Sequence, residues 1–172
     1  MEGRATVKTR IVLSVVGLAF AGLVSGCWFF GSSELEYTHW EPALSPDGGT
    51  LAYESPAEES LELYLRDLAS GETRRLTEDE YPDWSPSWSP AGDRIAFTSS
   101  RDDNVDIYVL NVSDSVVERL TTDEREDINP HWGADGRIYF NSNRSGAWEI
   151  YAIDPIEKNL VKITQVAETP GS

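Results

Sequence analysis

The sequence predicts an all-β chain, three propeller-type blades of four antiparallel strands each, preceded by a targeting segment. Three observations predict this. A pattern opening on Pro42, Pro86 and Pro130 recurs at intervals of 44 residues. Within each copy the apolar residues alternate with period two, which marks half-buried strands rather than helices. Four such strands in one repeat of this length make one propeller blade. Ahead of the repeats, a basic start and an apolar run end at the only cysteine.

Arg4, Lys8 and Arg10 form the basic start, and Ile11 to Val24 is apolar, broken by Gly17 and Gly22. The run is short for a membrane span and suits a signal-peptide core. Leu23-Val24-Ser25-Gly26-Cys27 resembles the lipobox of bacterial lipoproteins. That resemblance implies cleavage before Cys27, so that residues 1–26 are a signal peptide, and acylation of the Cys27 thiol and new amino group. The alternative is an uncleaved anchor helix with an incidental cysteine. A lone cysteine in an exported chain makes no internal disulfide, and several acyl chains anchor stably where one is marginal. Trp28, not Asp, follows the cysteine. By resemblance to the enterobacterial sorting pattern this points, in a Gram-negative host, to the periplasmic face of the outer membrane.

Residues 27–38 read as a short lipidated tether, with Gly31-Ser32-Ser33 as its flexible part. Three blades follow within 39–165, at about 39–77, 83–121 and 127–164. In the second, Ser87-Trp88-Ser89 is a short innermost strand and Pro90 to Asp93 a turn. Arg94 to Ser99 is the next strand, Arg101 to Asn104 a polar turn, Asp106 to Asn111 the third strand and Val116 to Thr121 the fourth. Third-strand tyrosines fall at Tyr64, Tyr108 and Tyr151, and fourth strands end Leu76-Thr77, Leu120-Thr121 and Ile163-Thr164. The third copy has one residue fewer in its first turn, Gly136-Arg137-Ile138 against Gly92-Asp93-Arg94-Ile95, and stays in step thereafter. Glu78 to Asp83 and Thr122 to Asp127 are acidic connectors. Residues 166–172 form a polar tail read as disordered.

Pro86-x-Trp88-Ser89-Pro90-x-Gly92, Ile95-Ala96-Phe97, Ser99-x-Arg101, Ile107-Tyr108 and Leu120-Thr121 resemble the blade of TolB-type β-propellers. The same blade occurs in the N-terminal propellers of prolyl-oligopeptidase-like and tricorn-type peptidases. The resemblance implies a fold, not a chemistry, because one blade type serves many roles. It also implies a departure: closed propellers have four to eight blades, TolB-type ones commonly six, and three copies leave two faces without neighbours. Three answers stay open. A homodimer completes a six-bladed ring, a separate protein covers the faces, or the chain is a fragment of a longer propeller.

The charge excludes one class of partner. The whole chain carries −16, and residues 1–26 hold three of the 14 basic residues but one of the 30 acidic ones. Nucleic acid, which needs basic surface to displace counterions, is not expected. No Gly-x-Ser-x-Gly elbow, Cys-x-x-Cys, His-Glu-x-x-His or phosphate-loop pattern occurs. The catalytic serine of the peptidase relatives sits in a separate domain. No enzyme, cofactor or metal site is therefore expected. His39 and His131 occupy unlike repeat positions and read as surface or turn residues. Asp102, Asp103 and Asp106 lack an EF-hand ligand set, and Asp47-Gly48 and Asp135-Gly136 read as turn chemistry.

Trp88 and Trp132 share a position that Leu44 fills in the first copy, so it is read as a packing position. Trp148 aligns with Val105 and is a possible contact residue, as are Arg101 and Arg144. Each arginine is expected to bond loop carbonyls or an acidic connector, incompletely in the first copy, where Ala57 takes the place. The leading reading is a non-catalytic, lipid-anchored scaffold that presents connector loops to a protein partner at the bacterial cell envelope. The competing class is a carbohydrate- or peptide-binding, or lyase-type, propeller.

Overall fold

The computed structural model describes residues 40–57 and 60–164. The signal peptide at 1–26, the tether at 27–38 with Cys27, His39 and the tail at 166–172 lie outside the described residues. Within them the chain forms three sheets of four antiparallel strands, each in meander order. The first holds β1 (Trp40–Leu44), β2 (Thr50–Ala57), β3 (Ser60–Asp67) and β4 (Thr73–Arg75). The second holds β5 (Asp83–Trp88), β6 (Arg94–Ser99), β7 (Asp106–Asn111) and β8 (Val117–Arg119). The third holds β9 (Asp127–Trp132), β10 (Ile138–Ser142), β11 (Glu149–Ile153) and β12 (Leu160–Lys162). The first strands lie side by side, β5 against both β1 and β9.

The innermost strand of the second sheet is longer than Ser87 to Ser89, and a bulge makes this possible. Proline has no N–H for the ladder and is confined to bulges or edges. The register of β5 on β6 slips between Trp84 and Ser87, around Pro86. Ser85 sits at φ 54 there, and Asn129 before Pro130 at φ 55. The freed amides point across the joints. Ser85 N–H donates to Glu54 of the first sheet at 2.7 Å, and Asn129 N–H donates to Thr98 Oγ1 of the second at 3.1 Å.

The turn after each first strand is closed by the same pair of bonds. Ser89 N–H donates to the Arg94 carbonyl and Gly92 N–H to the Ser89 carbonyl, both at 2.9 Å. In the third sheet Gly133 N–H reaches the Arg137 carbonyl at 2.7 Å, one residue sooner. The deleted residue therefore shortens the loop and leaves the ladder intact. Gly92 at φ 72 and Gly136 at φ 86 supply the left-handed backbone this turn requires.

The fourth strands are shorter than the Val116 to Thr121 segment, because threonine replaces the ladder bond. Ile107 N–H donates to Thr121 Oγ1 at 3.0 Å, and Leu63 N–H to Thr77 Oγ1 at 3.0 Å. The polar turn after β6 contains a short 3-10 segment, Arg101–Asp103, with Asp102 and Asp103 at positive φ.

The core lies between sheets. Ala52, Leu63, Leu65 and Leu76 on the trailing face of the first pack on Trp88, Ile95, Phe97, Tyr108 and Leu110 on the leading face of the second. Ala96, Ile107, Val109 and Leu120 meet Trp132, Ile138, Phe140, Tyr151 and Ile153 in the same way. Trp88 also donates its indole N–H to the Ala43 carbonyl at 2.9 Å, so it packs backward onto the preceding sheet. This corrects the packing role assigned to Leu44: it is 55% exposed, since no sheet precedes its own among the described residues. The trailing face of the third sheet shows the converse. Ile107 is 0% and Leu120 5% exposed, but their counterparts Ile150 and Ile163 are 39% and 47% exposed.

Candidate functional site

Two regions present surface that the repeat fixes in place: a cavity between the first strands, and the connectors at the rim. The cavity of about 490 Å³ is lined by Pro42, Pro86, Pro130, Ser87, His131 and Trp132, among others. Each sheet contributes the same short segment, so its wall repeats. Trp132 is anchored within it, donating its backbone N–H to Ser87 Oγ of the neighbouring sheet at 2.9 Å. His131 is exposed there. Among the described residues no group of three or more His, Cys, Asp or Glu side chains is placed to hold a metal.

The rim is held by buried charge. Asp83 and Asp127 end the connectors, enter β5 and β9, and are fully buried. Arg101 Nη2 donates to both Asp83 oxygens at 2.9 and 2.8 Å, and its Nε to Ser99 Oγ at 2.9 Å. The same guanidinium pairs with Asp79 at 2.9 Å. Its carbon lies 5.5 Å from the Phe97 ring centre and 5.0 Å from that of Tyr108. Arg144 repeats this on Asp127 at 2.7 Å and Ser142 at 2.9 Å, over Phe140 and Tyr151. Arg101 and Arg144 thus bind the acidic connectors to their blades, which engages them internally rather than at a ligand surface. Asp127 Oδ1 has no hydrogen-bond partner among the described residues.

A second series escaped the sequence reading. Glu62, Asp106 and Glu149 are buried at the third strands. Arg75 pairs with Glu62 at 3.0 Å, Arg119 with Asp106 at 2.6 Å, and Lys162 with Glu149. Thr77 and Thr121 donate to the same carboxylates at 2.6 and 2.8 Å. The signal was present as Arg-Leu-Thr, Arg-Leu-Thr and Lys-Ile-Thr at the close of each repeat. The basic member matters because an acid buried this deeply requires a cation. At Asp106, the first residue of β7, burial raises the carboxyl pKa, while Thr121 and Arg119 pull it down.

Further bonds pin the connectors. Asn104 Nδ2 donates to the Asp123 and Arg125 carbonyls at 2.6 and 3.3 Å, and Glu126 N–H donates to Asn143 Oδ1 at 3.1 Å. Trp148 lies in the turn before β11, 49% exposed. Cys27 is outside the described residues.

Burial pushes the Asp83 carboxyl up to about 6, against the pull of Ser99 and Arg101, with Asp79 adding repulsion. The folded state therefore takes up a proton at Asp83 before the unfolded chain does. Linkage makes this contribution to stability grow as pH falls from about 6 toward 3.8 and shrink as pH rises. The melting temperature of the native chain relative to Asp83→Asn is expected to climb over that interval. A difference independent of pH would show that Asp83 is ionised throughout.

The model of the TolB β-propeller domain family matches residues 33–169. The chain belongs to the TolB β-propeller family. No curated protein sequence matches it. Among solved structures, putative TolB from Agrobacterium tumefaciens is 30% identical with a TM-score of 0.69, covering 74% of this chain and 46% of that one. TolB from Acinetobacter baumannii is 29% identical with a TM-score of 0.67, covering 74% of this chain and 32% of that one. A puromycin-hydrolyzing peptidase from Mycobacterium tuberculosis shares the fold at 19% identity and a TM-score of 0.62, with 85% of this chain and 23% of that one covered. The TolB-type blades described above thus span less than half the length of these chains.

Proposed function

We propose that this chain is a non-catalytic interaction module, lipid-anchored through Cys27 at the bacterial cell envelope, with its connector loops offered to a protein partner. One observation carries the reading: each connector is tied to a blade by a buried carboxylate held by arginine, Asp83 with Arg101 and Asp127 with Arg144. Loops ordered before binding lose less entropy on contact, which favours a recognition role. Exposed Glu80, Tyr81, Glu124 and Arg125 project from these pinned connectors. The apolar run ending at Cys27 supports the address.

Two measurements test the two parts. Labelled palmitate is expected to enter the full chain and to be lost in Cys27→Ser; equal labelling of both would remove the anchor. Affinity capture from solubilised envelopes is expected to recover a partner that Glu80→Lys with Glu124→Lys no longer retains. Thermal stabilisation by an oligosaccharide, with no partner affected by those substitutions, would favour the carbohydrate-binding alternative instead. A second reading, a piece of a longer propeller, is favoured by the 46% and 32% of the TolB chains that this chain spans. It predicts poor folding of residues 28–172 alone.

A further inference from the structure

The two end faces of the described blades carry the residues that continue the series of the first joint. At the rim of the first joint, Arg74 Nη2 of β4 donates to the Val112 carbonyl at 2.9 Å. At the rim of the second, Glu118 of β8 pairs with Lys158 at 2.5 Å, three residues beyond Pro155, the counterpart of Val112. The next residue in the series Arg74, Glu118 is Val161 on β12, and the residue before Val112 in its own series is Leu68 after β3. Both are apolar, and they are 46% and 49% exposed. In a chain of net charge −16, apolar residues at the two rim ends remove the repulsion that acidic ones would bring.

The inner side of the joint has the same form. Glu54 and Thr98 each accept the bulge amide of the following blade. The third member of that series is Asn141, whose side chain has no hydrogen bond among the described residues. The equivalent position on β1, at the register shift between Trp40 and Ala43, is Glu41, and no blade precedes it among the described residues. Between rim and bulge lie exposed Ile150 and Ile163 on one end face, and Leu44 on the other.

We propose that a second copy of this chain closes the ring. The first blade of each copy seats on the third blade of the other, placing Leu68 of one on Val161 of its partner at two equal joints. The interface is the blade joint already made twice within the chain, repeated in trans. Two copies of the three described blades make six, inside the range in which propellers close. The two-fold axis makes the assembly finite.

The test is the mass of the full chain in mild detergent, by sedimentation, across a concentration series. A dimer is expected. Val161→Lys and Leu68→Glu each place a charge at the joint and are expected to weaken the dimer by about tenfold or more. Both sites are exposed in the single chain, so an unchanged circular dichroism spectrum separates loss of association from loss of fold. Val161→Lys and Leu68→Glu in one chain bring opposite charges together at each joint and are expected to restore association. A wild-type monomer at every concentration overturns the proposal. So does a dimer whose strength neither substitution alters, because it would use another face.

Discussion

Replacing Arg144 by alanine is expected to cost about 3–5 kcal/mol of folding stability, the range for removing one partner of a buried pair. Asp127 is fully buried, and Arg144 is its cation at 2.7 Å. One carboxylate oxygen already has no hydrogen-bond partner among the described residues. Without the guanidinium, the charge has neither solvent nor counterion, and the Phe140 and Tyr151 rings lose the group packed over them. Arg144→Lys should fall in between, keeping the charge but losing the planar fork. Adding Asp127→Asn to Arg144→Ala should recover part of the loss, because no charge remains to be stranded. Urea unfolding at neutral pH reads all four proteins. A cost below about 1 kcal/mol for Arg144→Ala, the scale of a surface pair, would mean that water reaches Asp127.

Trp88→Ala is expected to cost about 3–5 kcal/mol, the range for deleting a large aromatic from a core. The same truncation at the matching position, Leu44→Ala, should stay within about 0.5 kcal/mol, as at other exposed sites. Trp88 fills the first joint and donates to the Ala43 carbonyl, whereas Leu44 has no described blade in front of it. Trp88→Phe separates the two contributions: most of the packing survives, and loss of the hydrogen bond accounts for about 1 kcal/mol. Equal costs at Trp88 and Leu44 would contradict the assignment of this side chain to the preceding blade. If the ring closes in trans, Leu44→Ala should instead show itself in the dimer dissociation constant.

The strands and turns were legible because the repeat supplies three readings of each. Arg94 to Ser99 and Asp106 to Asn111 fall where the alternation of Ile95 with Phe97 and of Ile107 with Val109 puts them. The first strands were harder. A proline inside a strand reads as a stop, and only the bulge at Ser85, with its amide turned to another blade, makes Pro86 acceptable. Two end faces without neighbours were legible from the three copies, but not which side chains they would expose. Leu44 and Ile163 occupy core positions of the pattern and lie at the surface, because burial depends on a neighbour and not on the residue. The arginines were visible as a repeat feature, but the depth of Asp83 and Asp127 was not. Sequence alone placed both in acidic connectors, where a solvated carboxylate is the ordinary expectation.

The bulge amides also bear on how such a gene can change length. Both described joints use the same bulge position on consecutive modules, the Ser85 amide on Glu54 and the Asn129 amide on Thr98. Recombination that gains or loses one whole period therefore leaves every surviving seam chemically intact. A cut at any other phase would separate an amide from its acceptor and a carboxylate from its guanidinium.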